Sequence, residues 1–293
     1  AMGLTPLISA EWNWRVQLLI PAILSLIATA LAWRYFPESP RWLESRGRYQ
    51  EAEKVMRSIE EGVIRQTGKP LPPVVIADDG KAPQAVPYSA LLTGVLLKRV
   101  ILGSCVLIAM NVVQYTLINW LPTIFMTQGI NLKDSIVLNT MSMFGAPFGI
   151  FIAMLVMDKI PRKTMGVGLL ILIAVLGYIY SLQTSMLLIT LIGFFLITFV
   201  YMYVCYASAV YVPEIWPTEA KLRGSGLANA VGRISGIAAP YAVAVLLSSY
   251  GVTGVFILLG AVSIVVAIAI ATIGIETKGA SVESLSIDAV ANK

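Results

Sequence analysis

Apolar residues in this chain come in blocks long enough to cross a bilayer, and polar residues gather between them. Along the 293 residues, seven such blocks run at about 16–34, 98–121, 134–157, 165–182, 186–212, 222–248 and 252–274. Each is close to or above the roughly 20 residues that carry a helix across about 30 Å of hydrocarbon. A bilayer core offers the backbone no hydrogen-bond partner, so segments of this kind must close their own bonds as helices. The pattern predicts an all-α, multi-pass membrane protein. Most gaps are short turns, and the exception is 35–97, which carries much of the charge and the proline-rich string KPLPPVV. Its first part, PESPRWLESRGRYQEAEKVMRSIEEG, ends the first span and opens a soluble amphipathic helix, with Leu43, Val55, Met56 and Ile59 as its apolar positions. From about 66 to 90 no periodicity survives, and the segment reads as a linker. The organisation is therefore 1–34, an external loop and one span; 35–97, an extramembrane insert; 98–275, a six-span bundle; and 276–293, a tail.

Composition agrees with the pattern and excludes a soluble domain: 57% of residues are hydrophobic and 13% are charged, against about a quarter charged in soluble proteins. The net charge of +5 raises the question of nucleic acid, and the placement of the basic residues answers it. They sit at span ends, the pattern of cytoplasmic anchoring rather than of a nucleic-acid surface. Arg34, Arg46, Arg48, Arg57 and Lys98 flank or lie in the insert; Lys159 and Lys163 fall between the third and fourth spans, and Lys221 between the fifth and sixth. Arg15 and Lys133 fall on the other side. The insert and the C-terminus are accordingly expected in the cytoplasm, in an integral membrane protein of the bacterial inner membrane. That orientation puts the opening residues outside with no cleavable signal before the first span, so further spans are expected upstream of Ala1. Cys105 and Cys205 lie within apolar blocks and read as buried thiols.

Four strings, in order, resemble the sugar-porter-like subset of the major facilitator superfamily, close to its organic-ion and bacterial metabolite transporters. PESPRWL at 37–43 resembles the end of that family's sixth helix, and VMDKIPRKTMG at 156–166 the loop between its eighth and ninth. PEIWPTEAKLRGSG at 213–226 resembles the loop between the tenth and eleventh helices, and IETKG at 275–279 the end of the twelfth. The resemblance implies a major facilitator fold represented here by helix six and the C-terminal six-helix bundle, with the N-terminal helices one to five as missing partners. Two departures stand out. Pro161 and Lys163 replace the family's glycine and arginine in the loop between helices eight and nine, and NVVQYTLINW replaces the glutamine-rich motif of helix seven that accompanies hexose transport.

The candidate chemistry lies on two levels. Arg233 is ten residues from Arg223, about 15 Å along a helix and so near the bilayer midplane. A charge at that depth normally faces a cavity or a partner. Its context, GRISGIAAP, resembles helix eleven of organic-ion transporters, where anion carriers tend to have arginine, so an anionic substrate is implied. Asn229 lies one turn earlier on the same face. On the second span Asn111, Gln114, Tyr115 and Asn119 recur at helical spacing as one polar stripe, which must face protein or water. These six residues are the candidate substrate site. At the rim Glu38 with Arg41, Asp158 with Arg162, and Glu214 with Arg223 form three candidate ion pairs, which the resemblance casts as latches of a cytoplasmic gate. Gly232 and Gly236, a GxxxG pair, predict close helix packing.

The function expected is secondary active transport of a small organic solute, a carboxylate-bearing anion, by alternating access. The partners are that small molecule, a proton or other coupling ion as in a symporter, membrane lipid and the missing helices; no cofactor is called for. No Asp or Glu falls in the interior of a block and the chain has no His, so a titratable proton carrier would lie elsewhere. A sugar or polyol porter is the related alternative, and a transporter-derived sensor the alternative of another class. No P-loop and no nucleophile with a base points to an enzyme.

Overall fold

The computed structural model describes residues 13–71, 87–217 and 220–279. They fall in two compact units, Ala1–Ala82 and Pro83–Lys293, and all regular structure among them is helical.

In the first unit α1 spans Asn13–Tyr35. It is apolar all round, with Leu19, Ile23 and Leu26 exposed, as expected of a helix that meets lipid or other helices instead of water. A short α2 (Pro40–Ser45) and α3 (Tyr49–Thr67) follow. They meet at a corner where Leu43 and Ala52 are buried. Gly47 makes the corner, since its φ of 74° is a left-handed conformation that other residues avoid. The outer face of α3 carries local ion pairs, Arg48 with Glu51 and Arg57 with Glu53, each at 2.6 Å. They are solvent-exposed, so water screens them and they add little to stability.

The second unit is built around α5 (Gly94–Thr127), preceded by the single turn α4 (Tyr88–Leu91). It buries Leu102, Val106, Leu107, Leu117 and Leu121 at its centre. The span 132–156 is two segments, α6 (Leu132–Met143) and α7 (Gly145–Val156), joined through Phe144. Asn131 caps α6, its side chain accepting from the Asp134 N–H at 2.9 Å. Next come α8 (Arg162–Ser181) and α9 (Met186–Val204). From α9 the chain continues through a wide π-helical stretch, Cys205–Tyr211, into α10 (Val212–Glu214). The last element, α11, runs Lys221–Ile273 and is broken at Gly251 (φ 66°, ψ −160°). Among the described residues six helical spans, 132–156 counted as one, are long and apolar enough to cross a membrane, and the break divides the sixth into the two last blocks read from the sequence.

Close helix packing occurs where small residues permit it. A Cβ at Gly232 would sit 2.8 Å from the Leu107 Cβ, and one at Gly236 3.1 Å from the Tyr115 ring. The predicted GxxxG pair is thus the seam between α11 and α5. A second such pair, Gly145 and Gly149 in GAPFG, was not singled out from the sequence. It lets α7 press on the α9 backbone at Phe194 and Thr198.

Candidate functional site

Arg233 lies twelve residues into α11, about 18 Å from its start. Its Nη1 donates to the Tyr115 hydroxyl of α5 at 2.6 Å. The pair bridges the two helices beside Gly236, whose missing side chain leaves the notch that the Tyr115 ring fills. Arg233 itself is exposed and Tyr115 is half-buried, so the guanidinium keeps an open face with its other N–H donors.

The other candidates divide by what they touch. Asn111 is buried and its amide donates to the Leu107 carbonyl of its own helix at 2.7 Å. It also lies against Gly232, 3.0 Å from where a Cβ would stand. Its role is in the helix seam. Asn229 is exposed one turn before Arg233 and bonds back to the Ser225 carbonyl at 2.9 Å. Gln114 is half-buried and Asn119 exposed on α5. Sequence spacing put Arg233 and the stripe on separate spans, and the structure joins Arg233 to Tyr115.

At the rim Arg162, the first residue of α8, is buried with its side chain 7% exposed. Its Nε and Nη2 donate to the two oxygens of Glu214 at 3.0 and 3.1 Å, and its Nη1 donates to the Met157 carbonyl. Nη2 also reaches Asp158 at 3.3 Å, whose side chain is 89% exposed. The expected pairing of Arg162 with Asp158 is present, but the stronger hold is on Glu214, which sequence reading had set against Arg223. Arg223 lies over the Tyr88 ring at 5.2 Å. Glu38 is exposed ahead of α2, and the Arg41 side chain lies outside the described residues.

Three further rim residues escaped the sequence reading. Glu276, in the IETKG string, accepts the backbone N–H groups of Arg162 at 2.7 Å and Lys163 at 3.2 Å. It caps the otherwise open first turn of α8 from 114 residues away. Partial burial pushes its carboxyl up, but the backbone N–H donors of Arg162, Lys163 and Lys278 outweigh this and hold it below the ordinary carboxylate range. Thr277 donates to Glu214 at 2.5 Å, and Lys278 Nζ to the Lys159 carbonyl at 2.7 Å. Tyr211 closes the network, donating to the Ile275 carbonyl at 3.1 Å and accepting its N–H at 3.0 Å. The network therefore ties the start of α8, α10 and the segment after α11 into one body. Tyr211 stacks on Tyr206 with ring centroids 5.0 Å apart, and Tyr206 lies against Tyr203, whose hydroxyl donates to the Val106 carbonyl of α5 at 3.1 Å. These buried tyrosines are core. Arg99, near the start of α5, is buried, 2% exposed.

Comparison with known proteins gives this geometry its context. YdjK of Escherichia coli (strain K12), a metabolite transport protein by name, is 99% identical over all of this chain and 64% of its own length. The inner membrane metabolite transport protein YdjE of the same organism is 44% identical over 94% of this chain and 62% of its own length. This chain thus spans under two thirds of these relatives. The solved structure of the major facilitator proton:xylose symporter XylE bound to 6-bromo-6-deoxy-D-glucose is similar over 97% of this chain and 61% of that one, with a TM-score of 0.58 and 22% identity. That likeness is one of fold. The family model described as "Sugar (and other) transporter" matches residues 2–289. With this match, the chain belongs to the sugar (and other) transporter family, a family of transporters and not of enzymes.

Proposed function

We propose that this chain forms the C-terminal part of a secondary active transporter that carries a small organic anion across the bacterial inner membrane by alternating access. The observation that carries this reading is the Arg233–Tyr115 bond of 2.6 Å, toward the middle of the arm of α11 that precedes the break at Gly251. It holds a guanidinium in place with donors to spare, and a guanidinium grips a carboxylate through two parallel N–H bonds. Substrates of transporters built from paired repeats bind near the midplane, at the interface of the two halves. The exposed face of α11 around Arg233 and Asn229 fits the wall of such a site, with Gln114, Tyr115 and Asn119 lining α5 beside it.

The rim serves this reading as a brace. Arg162 with Glu214, and Glu276 with the start of α8, hold three chain segments together so that the bundle moves as one body. Latching against the N-terminal half then falls to groups at the edge of the brace, Asp158 and Arg223 here and Glu38 with Arg41 in the insert. Lys159, Lys163, Lys221 and Arg223 put positive charge at this end, which supports a cytoplasmic side for it and for the C-terminus. The described acidic residues of the second unit, Asp134, Asp158, Glu214 and Glu276, lie at or beyond helix ends, which supports placing a coupling proton on groups outside them.

The test uses a chimaera in which this chain replaces the matching segment of full-length YdjK, reconstituted in proteoliposomes with and without a pH gradient. Uptake and counterflow are measured for a panel of carboxylates beside neutral sugars and polyols. Carboxylate uptake should fall at least tenfold in Arg233→Gln, with neutral solutes not transported. Sugar or polyol uptake that survives Arg233→Gln would replace this reading with a neutral-solute porter.

A further inference from the structure

The bond between Arg233 and Tyr115 has a direction, and it leaves one donor unassigned. Arg233 Nη1 donates and the Tyr115 oxygen accepts at 2.6 Å. A phenol has one O–H to donate as well as lone pairs to accept, so the Tyr115 proton remains free to point elsewhere. Accepting a short bond from a cation polarises that O–H and strengthens it as a donor. The ring itself is held, because its edge stands 3.1 Å from the Cβ position of Gly236 and so lies close against α11. Arg233 is exposed and Tyr115 half-buried, so the two groups share one open face.

We infer that Tyr115 is a specificity-determining residue, whose hydroxyl donates to a second oxygen of the substrate beside the carboxylate held by Arg233. This inference rests on the carboxylate reading above and names the substrate class within it: a hydroxy acid, with its hydroxyl on a carbon next to or near the carboxyl carbon. A plain carboxylate would fill the fork and leave the phenol proton unmet. A neutral sugar would meet the phenol and leave the fork unmet. Once a substrate covers this face, a donor left without a partner discriminates strongly between close analogues.

The test compares gluconate, 2-deoxygluconate and neutral sorbitol as tracers in the same proteoliposomes. The wild-type chimaera should take up gluconate at least fivefold faster than 2-deoxygluconate at low concentration. Tyr115→Phe keeps the ring in the Gly236 notch and removes only the hydroxyl. It should lower gluconate uptake at least fivefold more than 2-deoxygluconate uptake, bringing the ratio of the two near one. Equal losses for both acids would show that Tyr115 only positions Arg233, and would overturn the inference; so would a ratio that does not change. A wild-type protein that carries neither acid overturns the inference; where it also takes up no other carboxylate of the panel but does take up sorbitol, the carboxylate reading falls too.

Discussion

Arg162 holds both carboxylate oxygens of Glu214, at 3.0 and 3.1 Å, across 52 residues of sequence. The arginine is buried and the glutamate side chain is 34% exposed, so the pair sits between a surface contact and a core one. Removing one partner leaves the other without its charge-assisted hydrogen bonds, a loss of roughly 1.5–3 kcal/mol. Glu214→Gln should therefore lower the thermal unfolding midpoint of the purified protein by several degrees. Asp158→Asn should change stability by no more than about 0.5 kcal/mol, because that carboxylate is almost wholly in water. Equal effects of the two substitutions would show that Glu214 is not the partner that matters.

The Glu276 cap makes part of this brace sensitive to acid. Its carboxyl is held below the usual value of about 4.5 by backbone donors, so folding favours the charged form. The stabilisation is then fully present above the unfolded pKa and is lost as pH falls through the lower folded value. Wild type and Glu276→Gln should differ in unfolding midpoint near pH 7, and the difference should shrink below about pH 4.5. A gap that stays constant from pH 7 to pH 3.5 would mean that the carboxylate charge contributes nothing to the cap.

How much of this was legible beforehand depends on the range of the interaction. The apolar blocks identified the helices, because burial in a bilayer is written residue by residue. The GRISG glycines showed their packing role through local spacing, and Gly251 sits between the last two blocks where a break was needed. Helix limits were less clear: α5 extends to Thr127, past the expected 121, because Pro122 does not end it. The partners of Arg162 were not legible. Asp158 is one turn away and could be proposed from the motif, whereas Glu214 and Glu276 reach it only through the packing of α8, α10 and the end of α11. The bond from Arg233 to Tyr115 needed the α5–α11 seam, and the sequence supplied both residues without the seam's register.

That seam gives a prediction in which two glycines on one helix respond with opposite sign. At Gly232 a Cβ would stand 2.8 Å from the Leu107 Cβ, which is fixed to the α5 backbone. Gly232→Ala should destabilise by about 1–3 kcal/mol, the usual range for overpacking. At Gly226, in the same helix, a Cβ would meet nothing within 4 Å. Gly226→Ala should stabilise by about 0.5–1 kcal/mol through helix propensity. Thermal unfolding of both variants in detergent checks the pair, and a neutral Gly232→Ala would remove the argument for close approach.

The break in α11 is conformational rather than steric. Gly251 has φ 66° and ψ −160°, a region that L-residues enter only under strain of about 1–3 kcal/mol. No neighbouring atom lies within 4 Å of its Cβ position, so packing cannot explain a loss there. Just beyond the break, Gly254 stands against Tyr250, where a Cβ would come within 2.6 Å of the Tyr250 Cβ. The two arms of α11 are therefore set by this one residue and the contact behind it. Gly251→Ala and Gly251→Asn should each cost about 1–3 kcal/mol, because this ψ lies in the glycine-only region and not in the left-handed helical one that asparagine tolerates. Unfolding midpoints of the two variants test the assignment: an alanine variant as stable as the wild type would mean that backbone strain at this position is not what shapes the turn.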